Sequence, residues 1–191
     1  MVRPSRYNTE MLDSIRQHVV DHKPRRIAAN EDVRAAVAVL LLEQEGEVFT
    51  VLTKRTETVR HHKGEVSFPG GMFEPEDWNL EFTAIRESHE EIGIDPGCIE
   101  IIGSLDDSWT YTGFVITPYV GIIHAPYKFI TNPREVAYLI LLPYSHLKDD
   151  QFSPANRGSG WTSFHFNGDR IWGATCRVLM HFRDIVENET F

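Results

Sequence analysis

The sequence predicts an α+β fold, in which a mixed β-sheet is sandwiched between helices. Strand-like apolar segments outnumber helical ones, apolar residues recur at helical spacing near both ends of the chain, and an acidic helical segment lies between the strands. A chain of 191 residues can bury one sizeable core. We therefore predict one main domain at residues 31–191, preceded by a helix and a connector at residues 1–30.

The two terminal helices are predicted from the spacing of their apolar residues. Met11, Ile15 and Val19 form one face of a helix over residues 9–21, and the basic stretch HKPRR at 22–26 then serves as a connector. Apolar residues again recur near helical spacing from residue 174 to residue 186, which predicts a closing helix.

The strands are predicted from apolar runs with continuous or alternating character. Residues 33–55 begin apolar, turn through the polar EQEGE and resume with alternation, which predicts a hairpin. Turn residues such as Asp106 and Asp107 separate the later segments. Further strands are predicted in CIEIIGSL (98–105), GFVITPYVGII (113–123), EVAYLILL (135–142), TSFHF (162–166) and RIWG (170–173).

Charge and composition exclude several classes of protein. A net charge of -9 argues against a nucleic-acid-binding protein, which needs a basic surface to meet phosphates. Cys98 and Cys176 lack the spacing of a zinc site or a disulfide framework. No stretch reaches the roughly 18 apolar residues of a membrane span. We expect a soluble cytoplasmic protein without a membrane partner, and the sequence leaves a homodimer open.

Three carboxylates crowd the end of the segment from residue 77 to residue 92, which we predict to be a helix. Asp77 is its expected N-cap and Gly93 its expected stop. One stripe is expected to face the core, with the carboxylates on the opposite side. The expected core-facing residues are Phe82, Ile85, His89 and Ile92, and the carboxylates are Glu87, Glu90 and Glu91.

Such a group of carboxylates has two interpretations. It is either a solvated acidic helix face, on which neighbouring like charges repel one another, or a set of oxygen ligands for hard divalent cations. The adjacent FPGG at 68–71 favours the second interpretation, because glycines let the backbone approach a ligand closely.

The segment RESHEEIGI at 86–94 resembles the second half of the Nudix box. The first half departs from that box, in which seven residues separate the acid from the arginine. Eight residues separate Asp77 from Arg86 when the count starts at Gly71, and nine separate Glu76 from Arg86 when it starts at Gly70. This longer box, together with VLTKRTETVRHHKGEVSFPGG at 51–71, resembles the coenzyme A pyrophosphatase branch of the Nudix hydrolase superfamily. The resemblance continues in TPYVG (117–121), NPREVAYLILLP (132–143) and IWGATCRVL (171–179).

The resemblance implies a Nudix α/β/α sandwich and a metal-dependent hydrolase. The implied reaction cleaves the diphosphate of coenzyme A or an acyl-coenzyme A into 3',5'-ADP and 4'-phosphopantetheine or its acyl form. The implied ligands of Mg²⁺ or Mn²⁺ are Glu87, Glu90 and Glu91, with Arg86 expected to form a salt bridge to one of them. Glu135 is the predicted general base or additional ligand, and Glu90 is its rival as the base.

The extra 3'-phosphate of coenzyme A requires cationic groups on the protein. Gly70 and Gly71 are expected to set the path of the loop that leads to the acidic helix. The candidate cationic groups all lie in the upstream segment, and they are Lys54, Arg55, Arg60, His62 and Lys63.

Two other functions stay open from the sequence. One is a Nudix hydrolase of another nucleotide, such as ADP-ribose or a dinucleoside polyphosphate, which Tyr111 indicates weakly and the upstream segment disfavours. The other is a catalytically silent Nudix module that binds a nucleotide or a protein. Such a module could lose any of the three glutamates, and all three are present.

Overall fold

A mixed sheet with helices on both faces forms the framework of this protein. The computed structural model describes residues 6–28, 33–59, 61–110, 113–124, 127–148 and 163–187. The described strands are β1 (Val33–Gln44), β2 (Glu47–Arg55), β3 (Val66–Ser67), β4 (Gly70–Met72), β5 (Ile99–Ser104), β6 (Ser108–Trp109), β7 (Phe114–Ile123), β8 (Val136–Pro143), β9 (Ser163–Phe166) and β10 (Asp169–Trp172). The described helices are α1 (Arg6–Asp21), α2 (Leu80–Ile92), α3 (Tyr144–Lys148) and α4 (Gly173–Val186).

The strand order makes β1 the centre of the sheet. The main path runs β3, β2, β1, β7, β5, while β4 pairs with β1, β6 with β7, and β8 with β2. β1 and β7 are parallel, and the other pairs are antiparallel. β9 and β10 form a separate hairpin. The predicted mixed sheet, the hairpin of β1 and β2, and the helices at both ends are confirmed.

Two apolar layers cover the two faces of the sheet. Val39 and Leu41 of β1 belong to the layer that also contains the apolar residues of α1 and α4. Ala38 and Leu40 belong to the layer that contains Ala84 of α2. β1 is apolar almost throughout because successive side chains of a strand point to opposite faces, and here both faces are covered.

The N-terminal helix packs as part of the domain. Ile15 and Val19 are fully buried in the same apolar layer as Phe182 of α4, as the predicted apolar face of α1 requires. The predicted boundary between residues 30 and 31 lies outside the described residues. It therefore stays a prediction.

Two aspartates after β5 hold the basic connector against the sheet. Arg25 Nε donates to Asp106 Oδ2 at 2.6 Å, and Arg26 Nη1 donates to Asp107 Oδ1 at 3.1 Å. Arg34 of β1 donates to the other oxygen of Asp107, whose side chain is fully buried. The two aspartates, which the sequence predicts only as turn residues, thus join residues 22–26 to the body of the domain.

Candidate active site

The acidic helix α2 begins later than predicted and ends where predicted. Asn79, and not Asp77, is its N-cap, because the Asn79 side chain accepts the backbone N–H of Phe82 at 2.8 Å. Gly93 ends the helix with a left-handed φ of 66°, and its N–H donates to the carbonyl of His89. The helix is therefore Leu80–Ile92.

The predicted core-facing stripe of this helix is wrong. Of its four residues only Ile92 is buried, while Phe82 and Ile85 are half-buried and His89 is exposed. The buried face instead carries small and polar side chains, namely Thr83, Ala84, Ser88 and Glu91. These side chains allow a close approach to the alanines of β1, which larger apolar groups would prevent. One consequence is that Glu91 points toward the sheet and not away from it.

Arg86 joins the start of the helix to the first glutamate of the acidic group. Its Nε and Nη2 donate to the two oxygens of Asp77 at 2.8 and 3.0 Å, and its Nη1 donates to Glu87 Oε1 at 2.9 Å. Asp77 also accepts the hydroxyl of Thr83. The hydrogen bonds from Arg86 hold the pKa of Asp77 well below its usual value, so this buried carboxylate stays ionised.

Asp77 is the site residue whose role sequence reasoning missed. The sequence predicts it as a helix cap, whereas the structure makes it the main partner of Arg86. One feature of the sequence could have identified this role. Asp77 is the sixth residue after Gly71, the position at which the Nudix box carries an acid.

Glu91 is a buried carboxylate whose two oxygens differ in their hydrogen bonds. It is 1% exposed, and its Oε1 accepts Arg55 Nη1 at 3.1 Å. Its Oε2 is buried without a hydrogen-bond partner among the described residues. Burial raises the pKa of Glu91 to about 8, Arg55 opposes the rise, and the charges of Glu87 and Glu135 add to it.

Gly71 provides the space that the Glu87 carboxylate occupies. A Cβ added at Gly71 would collide with Oε1 of Glu87, and one added at Gly70 would collide with the backbone carbonyl of Ala36. β4 pairs with β1 through these two glycines, with Ala36 opposite Gly71. Burial also raises the pKa of Glu87, and Arg86 opposes that rise.

The two candidates for the general base occupy different environments. The Glu90 side chain is 51% exposed, and its Oε1 lies 3.4 Å from Arg86 Nη1. Glu135 is half-buried on the loop before β8, where its Oε1 accepts Asn132 Nδ2 at 3.1 Å. The backbone N–H of Asn132 donates to the carbonyl of Glu91, so this loop is fixed to the end of α2. The charge of Glu135 raises the pKa of both Glu87 and Glu91, as expected for a neighbouring carboxylate.

Those predicted substrate-binding cations that the structure describes are not gathered into one patch. Arg55 lies in the acidic site against Glu91, and Lys54 is paired with Asp169 at 2.8 Å. His62 is exposed beside Glu65 at 3.0 Å, and Lys63 is exposed. Arg60 and Tyr111 lie outside the described residues.

The glutamates fit a divalent cation, although they do not form a closed cage. Among the described residues, the set of three metal-ligating groups with all ligand atoms within 4.8 Å of one another lies elsewhere, and Glu87, Glu90 and Glu91 are not such a set. Arg86 and Arg55 contact Glu87 and Glu91 in this arrangement. The fit rests on the partnerless Oε2 of Glu91, since a cation would compensate both its buried charge and its lost hydrogen bond.

Comparisons with known proteins identify the family. Residues 32–165 match the family model of the NUDIX domain. The chain is 35% identical over 156 residues to the uncharacterized Nudix hydrolase NudL of Enterobacter sp. (strain 638), which covers 76% of this chain and 79% of that protein. It is 36% identical over 160 residues to Nudix hydrolase 15, mitochondrial, of Arabidopsis thaliana, and there the match covers 77% of this chain but 56% of the plant protein.

Solved structures show the same fold at lower identity. The MutT protein of Methanosarcina mazei Go1 has a TM-score of 0.51 and 17% identity, covering 89% of this chain and 100% of that chain. A MutT/nudix family protein of Enterococcus faecalis has a TM-score of 0.53 and 14% identity, covering 94% of this chain and 69% of that chain.

This chain belongs to the Nudix hydrolase family, whose members are pyrophosphohydrolases of nucleoside diphosphate derivatives and generally use divalent metals. Within the part of the chain that the structure describes, no helix is both long and apolar enough to cross a membrane.

The Gly71→Ala substitution tests how closely the glycine loop approaches Glu87. The added methyl group must displace the Glu87 carboxylate, so the interpretation of Glu87 as a metal ligand predicts that Mg²⁺-dependent turnover falls about 10- to 100-fold. The measurement is turnover as a function of Mg²⁺ concentration. Gly97→Ala is the control, because its added Cβ meets no atom closer than 3.3 Å. Equal activity of the two variants would show that Glu87 can shift without consequence.

The raised pKa of Glu91 predicts a pH-dependent stability in metal-free protein. Its pKa is about 8 when folded and about 4.3 when unfolded, so between these values the folded state binds more protons. The free energy of unfolding should therefore fall as pH rises through this window. Glu91→Gln does not titrate at this position, so the Tm of the wild-type protein relative to this variant should decrease from about pH 5 to about pH 8 in chelator. A constant difference would contradict the buried, partly unpaired state of Glu91.

Proposed function

We propose that this Nudix hydrolase cleaves the diphosphate bond of coenzyme A or an acyl-coenzyme A. Water is added across the P–O–P bridge, so that one phosphate takes its oxygen and the bridge oxygen leaves with the other. The products are 3',5'-ADP and 4'-phosphopantetheine or its acyl form. Mg²⁺ or Mn²⁺ held by Glu87, Glu90 and Glu91 is part of the proposal.

The observation that carries the proposal is the way in which the upstream segment 51–71 meets the acidic helix. Arg55, near its start, pairs with Glu91, and Gly71, at its end, lies against Glu87. The segment that resembles the coenzyme A branch is therefore in direct contact with the proposed metal ligands. Such a segment can orient both the proposed metal ligands and the substrate phosphates, since the Arg55 guanidinium can bind either a carboxylate or a phosphate.

The side chains have separable tasks in the proposed reaction. Arg86 holds Glu87 through a hydrogen bond and is itself oriented by Asp77. Glu135 is the proposed base that accepts a proton from the attacking water, because it lies near both Glu87 and Glu91 and is fixed by Asn132. A bound divalent cation supplies charge neutralisation of the diphosphate and lowers the pKa of water.

A substrate panel tests the reaction directly. Purified protein with Mg²⁺ or Mn²⁺ is incubated with coenzyme A, acetyl-coenzyme A, ADP-ribose or a dinucleoside polyphosphate in ¹⁸O-labelled water, and the products are identified by mass. We expect 3',5'-ADP from the two coenzyme A substrates, with one labelled oxygen in one of the two products.

The other outcomes of the panel have distinct meanings. Preferential cleavage of ADP-ribose or of the dinucleoside polyphosphate would overturn the proposed substrate and leave a Nudix hydrolase of another nucleotide. Cleavage of no substrate by a folded protein with either metal would overturn the proposed enzyme activity. The variant Glu91→Gln is the metal-ligand control, and unchanged turnover in it would refute the assignment of Glu91.

Two substitutions distinguish Glu135 from Glu90 as the general base. Glu135→Gln retains the size and the hydrogen bond to Asn132 but cannot take the proton, so kcat should fall about 10²- to 10⁴-fold with little change in KM. Glu90→Gln should lower kcat much less if its role is confined to the exposed edge of the metal site. The measurement is the kcat and KM of both variants at saturating metal, and the reverse order of effects would assign the base to Glu90.

The remaining expectations concern the state of the protein in the cell. A homodimer and a cytoplasmic location stay predictions from the sequence. Neither is needed for the proposed reaction, because all of the proposed ligands and the proposed base lie on one chain.

A further inference from the structure

Two histidines and an aspartate converge on the side of the sheet that α1 and α4 cover. His22 directly follows α1, Asp106 lies in the loop after β5, and His181 is on α4. Their ligand atoms all lie within 4.8 Å of one another. His22 Nε2 is 2.9 Å from Asp106 Oδ1, and His181 Nε2 is 3.6 Å from the same oxygen.

The arrangement is incomplete as a network of hydrogen bonds. Asp106 already accepts two hydrogen bonds from Arg25. The backbone N–H of Arg25 donates to Oδ1, and its Nε donates to Oδ2. His22 is within hydrogen-bonding distance of Oδ1. His181 Nε2 is buried, yet it has no hydrogen-bond partner among the described residues. A buried ring nitrogen without a partner costs free energy, and here it is directed toward an anionic oxygen and a second imidazole.

Two imidazole nitrogens and one carboxylate oxygen are a ligand set for zinc-like ions. Zn²⁺ is bound by such groups at about 2.0–2.2 Å, which places neighbouring ligand atoms a little over 3 Å apart in a tetrahedron. The separations of 2.9 and 3.6 Å are close to that requirement. The side chains of His22, Asp106 and His181 are 18%, 12% and 29% exposed, respectively, so the cluster is partly open to solvent. Mg²⁺ is disfavoured because it prefers oxygen ligands.

We propose that His22, Asp106 and His181 bind one divalent transition-metal ion, with zinc as the representative ion. The ion would join the end of α1, the loop after β5 and α4, which are far apart in the sequence. His22 and His181 lie outside residues 32–165 that match the NUDIX domain. The ion therefore fastens the flanking segments to the domain, in the same place where Arg25 already holds the connector.

This metal site is separate from the acidic site on α2. α1 and α4 belong to the apolar layer on one face of the sheet, and α2 belongs to the layer on the other. The ligand chemistry also differs, because the acidic site offers oxygen atoms and the second site offers two nitrogens. The two sites can therefore be titrated independently, with Mg²⁺ in excess while Zn²⁺ is varied.

The test is a Zn²⁺ titration of the full chain after removal of metals, in excess Mg²⁺ and in competition with a chromophoric chelator. We expect one tight site in the wild-type protein and an affinity more than about 100-fold weaker in His181→Ala and in His22→Ala, a larger loss than changes outside the ligand shell cause. Zn²⁺ should raise the Tm of the wild-type protein and leave that of His181→Ala unchanged.

Two controls separate this site from general histidine binding and from the acidic site. His124 is 72% exposed and lies 3.5 Å from Glu100, so His124→Ala removes an exposed histidine and acid pair and should retain tight Zn²⁺ binding. Glu91→Gln should also retain it, whatever its effect on hydrolysis.

A measurement on the wild-type protein alone covers the case in which the variants do not fold. Co²⁺ bound by two nitrogens, an oxygen and water in a tetrahedron absorbs visible light strongly, whereas octahedral Co²⁺ absorbs weakly. Intense absorption that saturates at one Co²⁺ per chain and disappears when Zn²⁺ is added supports the site. Weak absorption, or Zn²⁺ affinities that are equal in the wild-type protein and His181→Ala, would overturn it.

Discussion

The ion pair between Arg55 and Glu91 is the interaction on which the arrangement of the acidic site depends. It joins the end of β2 to the inner face of α2, so a carboxylate lies where a helix normally presents an apolar group. Burying a carboxylate without partners costs free energy, and Arg55 is only one partner for the two oxygens of Glu91. The neighbouring loops are arranged around this group. Asn132 fixes the loop that carries Glu135 to the backbone of Glu91, and Gly71 of β4 lies against the carboxylate of the neighbouring Glu87.

The contacts of α2 explain why the position of Glu91 and the packing of this helix cannot be separated. Thr83, Ala84 and Ser88 are small enough to bring the helix close to β1, and this closeness is what buries Glu91. A more apolar inner face would stabilise the packing by the usual burial of surface, yet it would hold the helix farther from the sheet. The protein thus gives up apolar contact at this interface to place an ionisable carboxyl group at the junction of strand and helix.

The parts of the fold that were predictable depend on patterns within a single element. The apolar face of α1, the hairpin of β1 and β2, and α4 follow from spacing alone, because each packs one regular face on the core. The buried face of α2 was not predictable in this way, since its small residue Ala84 packs in one cluster with Ala36 and Ala38 of a strand forty residues or more earlier. The acidic group itself was visible in the sequence, but its pairing with Arg55 and the partnership of Asp77 with Arg86 depend on tertiary contacts.

The partnership of Asp77 with Arg86 has a consequence for how the length of this motif is determined. Asp77 precedes the helix, so its distance from Arg86 along the chain is not fixed by helical geometry. The turn between β4 and α2 can lengthen by a residue while the carboxylate still reaches the guanidinium. What stays constant is the ion pair between Asp77 and Arg86, which closes a loop of the chain. The number of residues within that loop can vary. A description of the motif by its closing contact therefore covers this chain, which a description by fixed spacing does not.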